Sequence, residues 1–159
     1  MIIDNKTRVI KNRKMLLMQP IILILFIAIL LFSNIWIYPI FGVSRYHIII
    51  LLCIVYVVLV VLSYIRDYGY FYFNNQGDSL VFRYYSLKPF SFNSQHKQIE
   101  IKKETFKKYE LQNQMLGLKE GIVIYQKVGG KIAKYPSISI SALNKDDKIK
   151  LVEALNSLK

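Results

Sequence analysis

Two runs of the chain contain no Lys, Arg, Asp or Glu: residues 16–38, LLMQPIILILFIAILLFSNIWIY, and residues 47–65, HIIILLCIVYVVLVVLSYI. A helix needs about 20 predominantly apolar residues to cross the hydrocarbon of a bilayer, and each run is long enough. In a soluble protein, helices apolar on every face must be covered by other elements. The rest of a 159-residue chain is too small to cover two of them. The first run is also too long for the apolar core of a signal peptide. The sequence after it, SNIWIYPIFG, offers bulky residues where a small-residue cleavage site is needed. The pair is expected to form a two-helix transmembrane hairpin over residues 16–65.

Basic residues orient the hairpin. Residues 1–15 are expected as a basic cytoplasmic tail. They carry Lys6, Arg8, Lys11, Arg13 and Lys14 against the single acid Asp4, whereas the link from Pro39 to Tyr46 carries only Arg45. Lys and Arg accumulate on the cytoplasmic side of spanning helices, so both termini are expected there. Trp36, Tyr38 and Tyr46 are expected to mark the outer interface, and Tyr64 and Tyr68 the inner one. Asn34 is the carboxamide expected to bond across helices. Cys53, the one cysteine, lies deep in the second run, which excludes an intramolecular disulfide and suits a packing role. No ionisable residue lies mid-membrane, which argues against ion or proton transport by the chain alone.

Residues 66–159 read differently. Tyr64 to Phe92 holds eleven of the 22 aromatic residues, yet Arg66, Asp67, Asp78 and Arg83 exclude a third spanning helix. From Gly69 to Phe73 the chain alternates, Gly69, Phe71 and Phe73 on one side and Tyr68, Tyr70 and Tyr72 on the other. That period of two marks a strand. NNQGD supplies turn residues, and SLVFRYYS reads as the second strand of a hairpin. KQIEIKK, FKKYELQ, LKEGIVIYQKV, KIAKYP after Gly129-Gly130, and SISISAL bring the total to about seven strands. Asn144 is a natural N-cap with Asp146 and Asp147 in the first turn, and Ile149, Val152, Leu155 and Leu158 recur three apart beside Leu151. A C-terminal amphipathic helix over 144–158 is expected. The fold class is thus a membrane protein with an α-helical hairpin and a small, mainly β sandwich or barrel closed by one helix.

The hairpin around NNQGD, the isolated IEI strand, GIVIYQKVGGKIAKYPSISISAL and the closing NKDDKIKLVEALNSL resemble in pattern the bacterial pleckstrin-homology-like membrane proteins over residues 66–159. The resemblance implies a membrane-bound scaffold or binding module. Phosphoinositide-binding relatives carry clustered Lys and Arg around the first hairpin. Here that turn is NNQGD with Arg83 nearby, so phosphoinositide recognition is not carried over.

No residue set for catalysis, cofactor or metal binding is expected. His47 and His96 fall on opposite sides of the bilayer, and no Cys–His set, P-loop or dinucleotide fingerprint occurs. A non-enzymatic module is expected, binding the lipid surface or a protein partner, with homo-oligomerisation through the hairpin and no nucleic acid. The alternative is a membrane effector of a bacterial defence or signalling system. In that reading the barrel binds a nucleotide and makes the helices cluster, and a roomy cavity lined by Arg83, Tyr84 or Lys127 would favour it. The net charge of +12 includes +7 from residues 66–159, sixteen basic against nine acidic. A basic domain held at anionic lipid gains about 1 kcal/mol per Lys or Arg near the surface. Lys11, Arg13, Lys14, Arg66, Tyr68, Tyr70 and Tyr72 are the residues expected to touch that surface.

Overall fold

The computed structural model describes residues 1–33, 43–86 and 96–158. Its elements are β1 (Ile2–Asp4), α1 (Lys6–Phe32), α2 (Arg45–Arg66), β2 (Tyr70–Asn74), β3 (Ser79–Tyr85), β4 (Lys97–Lys102), β5 (Phe106–Gln114), β6 (Lys119–Val128), β7 (Lys131–Lys134), β8 (Ile138–Ser139) and α3 (Lys145–Asn156). Both α1 and α2 are long and apolar enough to cross a bilayer, and their most apolar stretches are not buried against the rest of the chain. Arg45 ties their far ends, its Nη1 donating to the Leu31 carbonyl at 3.3 Å. Asn34, Trp36, Tyr38 and the start of the link lie outside the described residues.

The seven expected strands are present, with an eighth ahead of them. β1 pairs antiparallel with β2, Ile3 opposite Phe73 and Asp4 opposite Tyr72. It opens a four-stranded antiparallel sheet in the order β1-β2-β3-β4. β5, β6 and β7 form the second sheet. There β7 and β8 pair with successive stretches of the same edge of β6, so the third strand of that sheet is broken in two. Between them the Tyr135 N–H donates to the Ile124 carbonyl at 2.9 Å. The first fifteen residues are therefore not a tail. Ile2–Asp4 belong to the sandwich and the helix starts at Lys6 rather than residue 16. Lys and Arg are good helix formers, so the basic stretch continues the helix instead of ending it. In chain order, the helical hairpin is inserted between the first and second strands of the β domain.

The sheets face each other across a filled interior. Phe71, Phe73, Leu80, Phe82, Ile101, Ile122, Ile124 and Ile138 are fully buried, and Ile3 joins them from β1. The Phe82 ring meets Phe73 and Phe71 at centroid distances of 5.0 and 6.4 Å, within the usual range for attractive aromatic pairs. The alternation expected for β2 holds, with Phe71 and Phe73 inward and Tyr70 and Tyr72 outward. Helix α3 closes one side. Asn144 caps it, Oδ1 accepting from the Asp147 N–H at 2.6 Å. Leu151 and Leu155 enter the core, while Ala154 and Leu158 pack against it. Ile149, expected in the apolar stripe, is 48% exposed, because the buried face runs through the i, i+4 pair 151/155 rather than through 149 and 152.

A candidate membrane-surface site where the helices join the sandwich

Asn5 makes the first joint. It follows β1 directly and is 6% exposed. Its Oδ1 accepts from the Phe71 N–H at 2.9 Å, its Nδ2 donates to the Gly69 carbonyl at 3.1 Å, and its own N–H donates to the Phe71 carbonyl at 3.3 Å. The side chain thus continues the β1–β2 ladder for one more step. It forms no side-chain cap on α1, although it occupies the N-cap position. The Asn5 carbonyl accepts the first helical bond, from Val9 at 3.0 Å. Val9 is itself buried, and Arg8 Nη1 reaches the Ala142 carbonyl at 3.4 Å. Gly69 is required here, since a Cβ would stand 2.5 Å from the Tyr85 carbonyl oxygen.

Asp67 makes the second joint. It ends α2 in the left-handed region, φ 47°, which Asp tolerates better than most residues. Its carboxylate pairs with Lys119 on β6 at 3.0 Å and accepts from the Ser86 hydroxyl. Its carbonyl accepts from Gly69 N–H at 2.7 Å and from Ser139 Oγ at 2.9 Å. Strands β6 and β8 and the residue that leads into β2 are thereby held at the end of α2.

Between the joints and the apolar part of α1 stands a basic collar. Lys11, Arg13 and Lys14 are all exposed on that helix. At roughly 100° per residue, Arg8, Lys11 and Lys14 form one row and Lys6 and Arg13 another on the opposite side, over about 12 Å of rise. Lys11, Arg13 and Lys14 thus stand on two sides of a helix rather than on a loose tail. Arg66 Nη1 donates to the Tyr68 hydroxyl at 3.1 Å. Tyr68 precedes the strand, so only Tyr70 and Tyr72 share its outer face. Tyr70 stacks on Tyr85 with centroids 4.9 Å apart, and the Arg83 guanidinium lies 5.5 Å from the Tyr72 ring centre. Burial, reinforced by Asp4, raises the Tyr70 pKa.

A shallow groove of about 240 Å³ opens beside this face, lined by Tyr70, Arg83, Tyr84, His96, Lys97 and Gln98. Arg83 Nε donates to Gln98 Oε1 at 2.9 Å, and the His96 ring sits edge-on to Tyr85 at 4.5 Å. Burial raises the Tyr84 pKa. Lys127 does not line this groove. It lies near the far end of β6, beside the Gly129-Gly130 turn, where both glycines have positive φ as a two-residue hairpin requires. His47 has a local role: its Nδ1 accepts from the Ser44 N–H at 3.2 Å at the start of α2. Among the described residues, no three His, Cys, Asp or Glu side chains converge as a metal set would.

Sequence reasoning missed β1 and Asn5. The one available signal was Ile2-Ile3-Asp4-Asn5 placed before a long helix, which reads equally well as an ordinary N-cap. No protein-family model, no curated protein and no solved structure matches the chain.

Proposed function

We propose that this chain is a non-enzymatic binding module of the bacterial inner membrane. Its β-sandwich is held against the cytoplasmic leaflet as a scaffold or binding module for a protein partner or the lipid surface. The observation that carries the reading is the two-point attachment. Asn5 bolts the start of α1, and Asp67 the end of α2, to one sandwich, with no free linker at either joint. A domain fastened in this way cannot drift from the bilayer, so its near surface meets lipid continuously. The basic collar on α1, Arg66 and the outer tyrosines of β2 lie on that side. The two antiparallel sheets with a closing C-terminal helix support the pleckstrin-homology-like resemblance. Among the described residues the interior between the sheets is packed with Phe, Ile and Leu, which supports a binding surface over the nucleotide-gated effector.

Hydroxyl-radical footprinting of the full chain in lipid nanodiscs tests the orientation. Successive outward residues on a strand stand about 7 Å apart, while charge attraction fades over about 8 Å at physiological salt. Protection by anionic lipid should therefore fall in the order Tyr68, Tyr70, Tyr72, weaken at high salt, and be absent at Val128 and Ile132 on the far hairpin. Equal labelling in neutral and anionic discs, or protection of the far hairpin instead, contradicts the proposed orientation.

A further inference from the structure

The β5–β6 hairpin ends in a tip that breaks the rules its neighbours keep. Gly77, Gly129 and Gly130 take the positive φ values at the other two hairpin turns. At this turn Met115, Leu116 and Gly117 are left-handed in succession, with φ of 52°, 56° and 84°. A bulky L-residue in that region costs about 1–2 kcal/mol, and Asn or Gly would avoid it. The two side chains also project into solvent, Met115 at 65% and Leu116 at 105% exposure. Strained backbone and bare apolar surface at one place call for a function outside the sandwich.

The position of the tip indicates what it meets. Lys119, three residues beyond Leu116, is the partner of Asp67 at the end of α2, and β6 lies against that helix. Three residues of chain reach about 10 Å at most. Leu116 therefore lies within that distance of Lys119, whose side chain reaches the end of α2, and Tyr64 in the last turns of that helix is exposed. The flanking residues Gln112, Asn113 and Gln114 are uncharged, and no acid falls between Glu110 and Glu120 to repel lipid phosphates.

We propose that Met115 and Leu116 form an apolar wedge. It inserts into the headgroup–acyl boundary of the leaflet that α2 leaves, giving the sandwich a third point of attachment after Asn5 and Asp67. This rests on the membrane reading above and adds a specific lipid-contacting element to it. Amphipathic segments bury apolar groups about 5–10 Å deep in that boundary, a depth two side chains on a hairpin tip can reach.

The test uses the full chain with Cys53→Ser as background, reconstituted into vesicles containing lipids with a quencher at a shallow acyl position. Single cysteines replace Leu116, Lys131 on the far hairpin, or Val57 within α2, each carrying an environment-sensitive fluorophore. The proposal predicts a blue-shifted, strongly quenched label at Leu116, several-fold above that at Lys131, with the Val57 label also in an apolar setting. If Val57 reports lipid while Leu116 matches Lys131, the wedge is wrong and the membrane anchor stands. If Val57 also reports water, the membrane reading fails and the wedge with it.

Discussion

Asn5 shows how a single side chain can join two kinds of structure. A backbone strand could not turn into a helix at this point and still pair with both Gly69 and Phe71, because its own N–H and carbonyl are already used. The carboxamide supplies one extra donor and one extra acceptor. Asn5→Ala removes both and leaves the buried Phe71 N–H and Gly69 carbonyl without those partners. Leaving a buried polar group unsatisfied costs about 1–3 kcal/mol, so chemical denaturation of the variant should show a loss of that order. A loss below about 0.5 kcal/mol, the range of an ordinary surface substitution, would mean that the joint is not built as described. Elsewhere on the surface, polar pairs shape local charge without bearing on the joint. Glu110 accepts from Lys108 Nζ at 2.5 Å and from the Tyr125 hydroxyl at 2.7 Å. The Lys108 bond holds its carboxyl below the usual range, with the Tyr125 bond adding to the effect.

At the scale of elements, the β domain is discontinuous in sequence, and this has a direct consequence. A fragment of residues 66–159 lacks β1, so Ile3 leaves the core and β2 becomes an open edge. Residues 1–5 spliced to 67–159 by a short loop in place of the hairpin should fold more stably than that fragment and aggregate less, since unpaired sheet edges invite association. Equal melting temperatures for the two would show that β1 contributes nothing. The same discontinuity explains what sequence reading could reach. Phe71/Phe73 against Tyr70/Tyr72, the Gly129-Gly130 turn and the Asn144 cap are local signals, legible within a few residues. β1 is three residues long, too short for a period of two, and its partner lies about 70 positions away. The start of α1 was hidden for another reason: the charges of Lys11, Arg13 and Lys14 end an apolar run without ending a helix. The place of Arg66, Tyr68 and Tyr70 after the second run is what suggests them as interface residues. Their actual contacts, with Tyr85 and with one another, depend on strand pairing that sequence does not display.

For the whole molecule, β1 and β2–β4 share one sheet although two apolar helices separate them in the chain. The N-terminus and the C-terminal sandwich must therefore lie on one side of any bilayer the hairpin enters, and the positive collar of α1 supports the proposal that this side is the cytoplasm. The most direct measurement of this arrangement combines three probes in intact cells of the full chain, with Cys53→Ser as background. These are an epitope tag on a flexible extension at each end, tested for protease digestion from outside, and Tyr46→Cys at the start of α2, tested with a membrane-impermeant thiol reagent. The account predicts that both tags are protected until the membrane is opened while Tyr46→Cys is labelled from outside. Tags digested from opposite sides, or a digested C-terminal tag with an unreactive Tyr46→Cys, would contradict it.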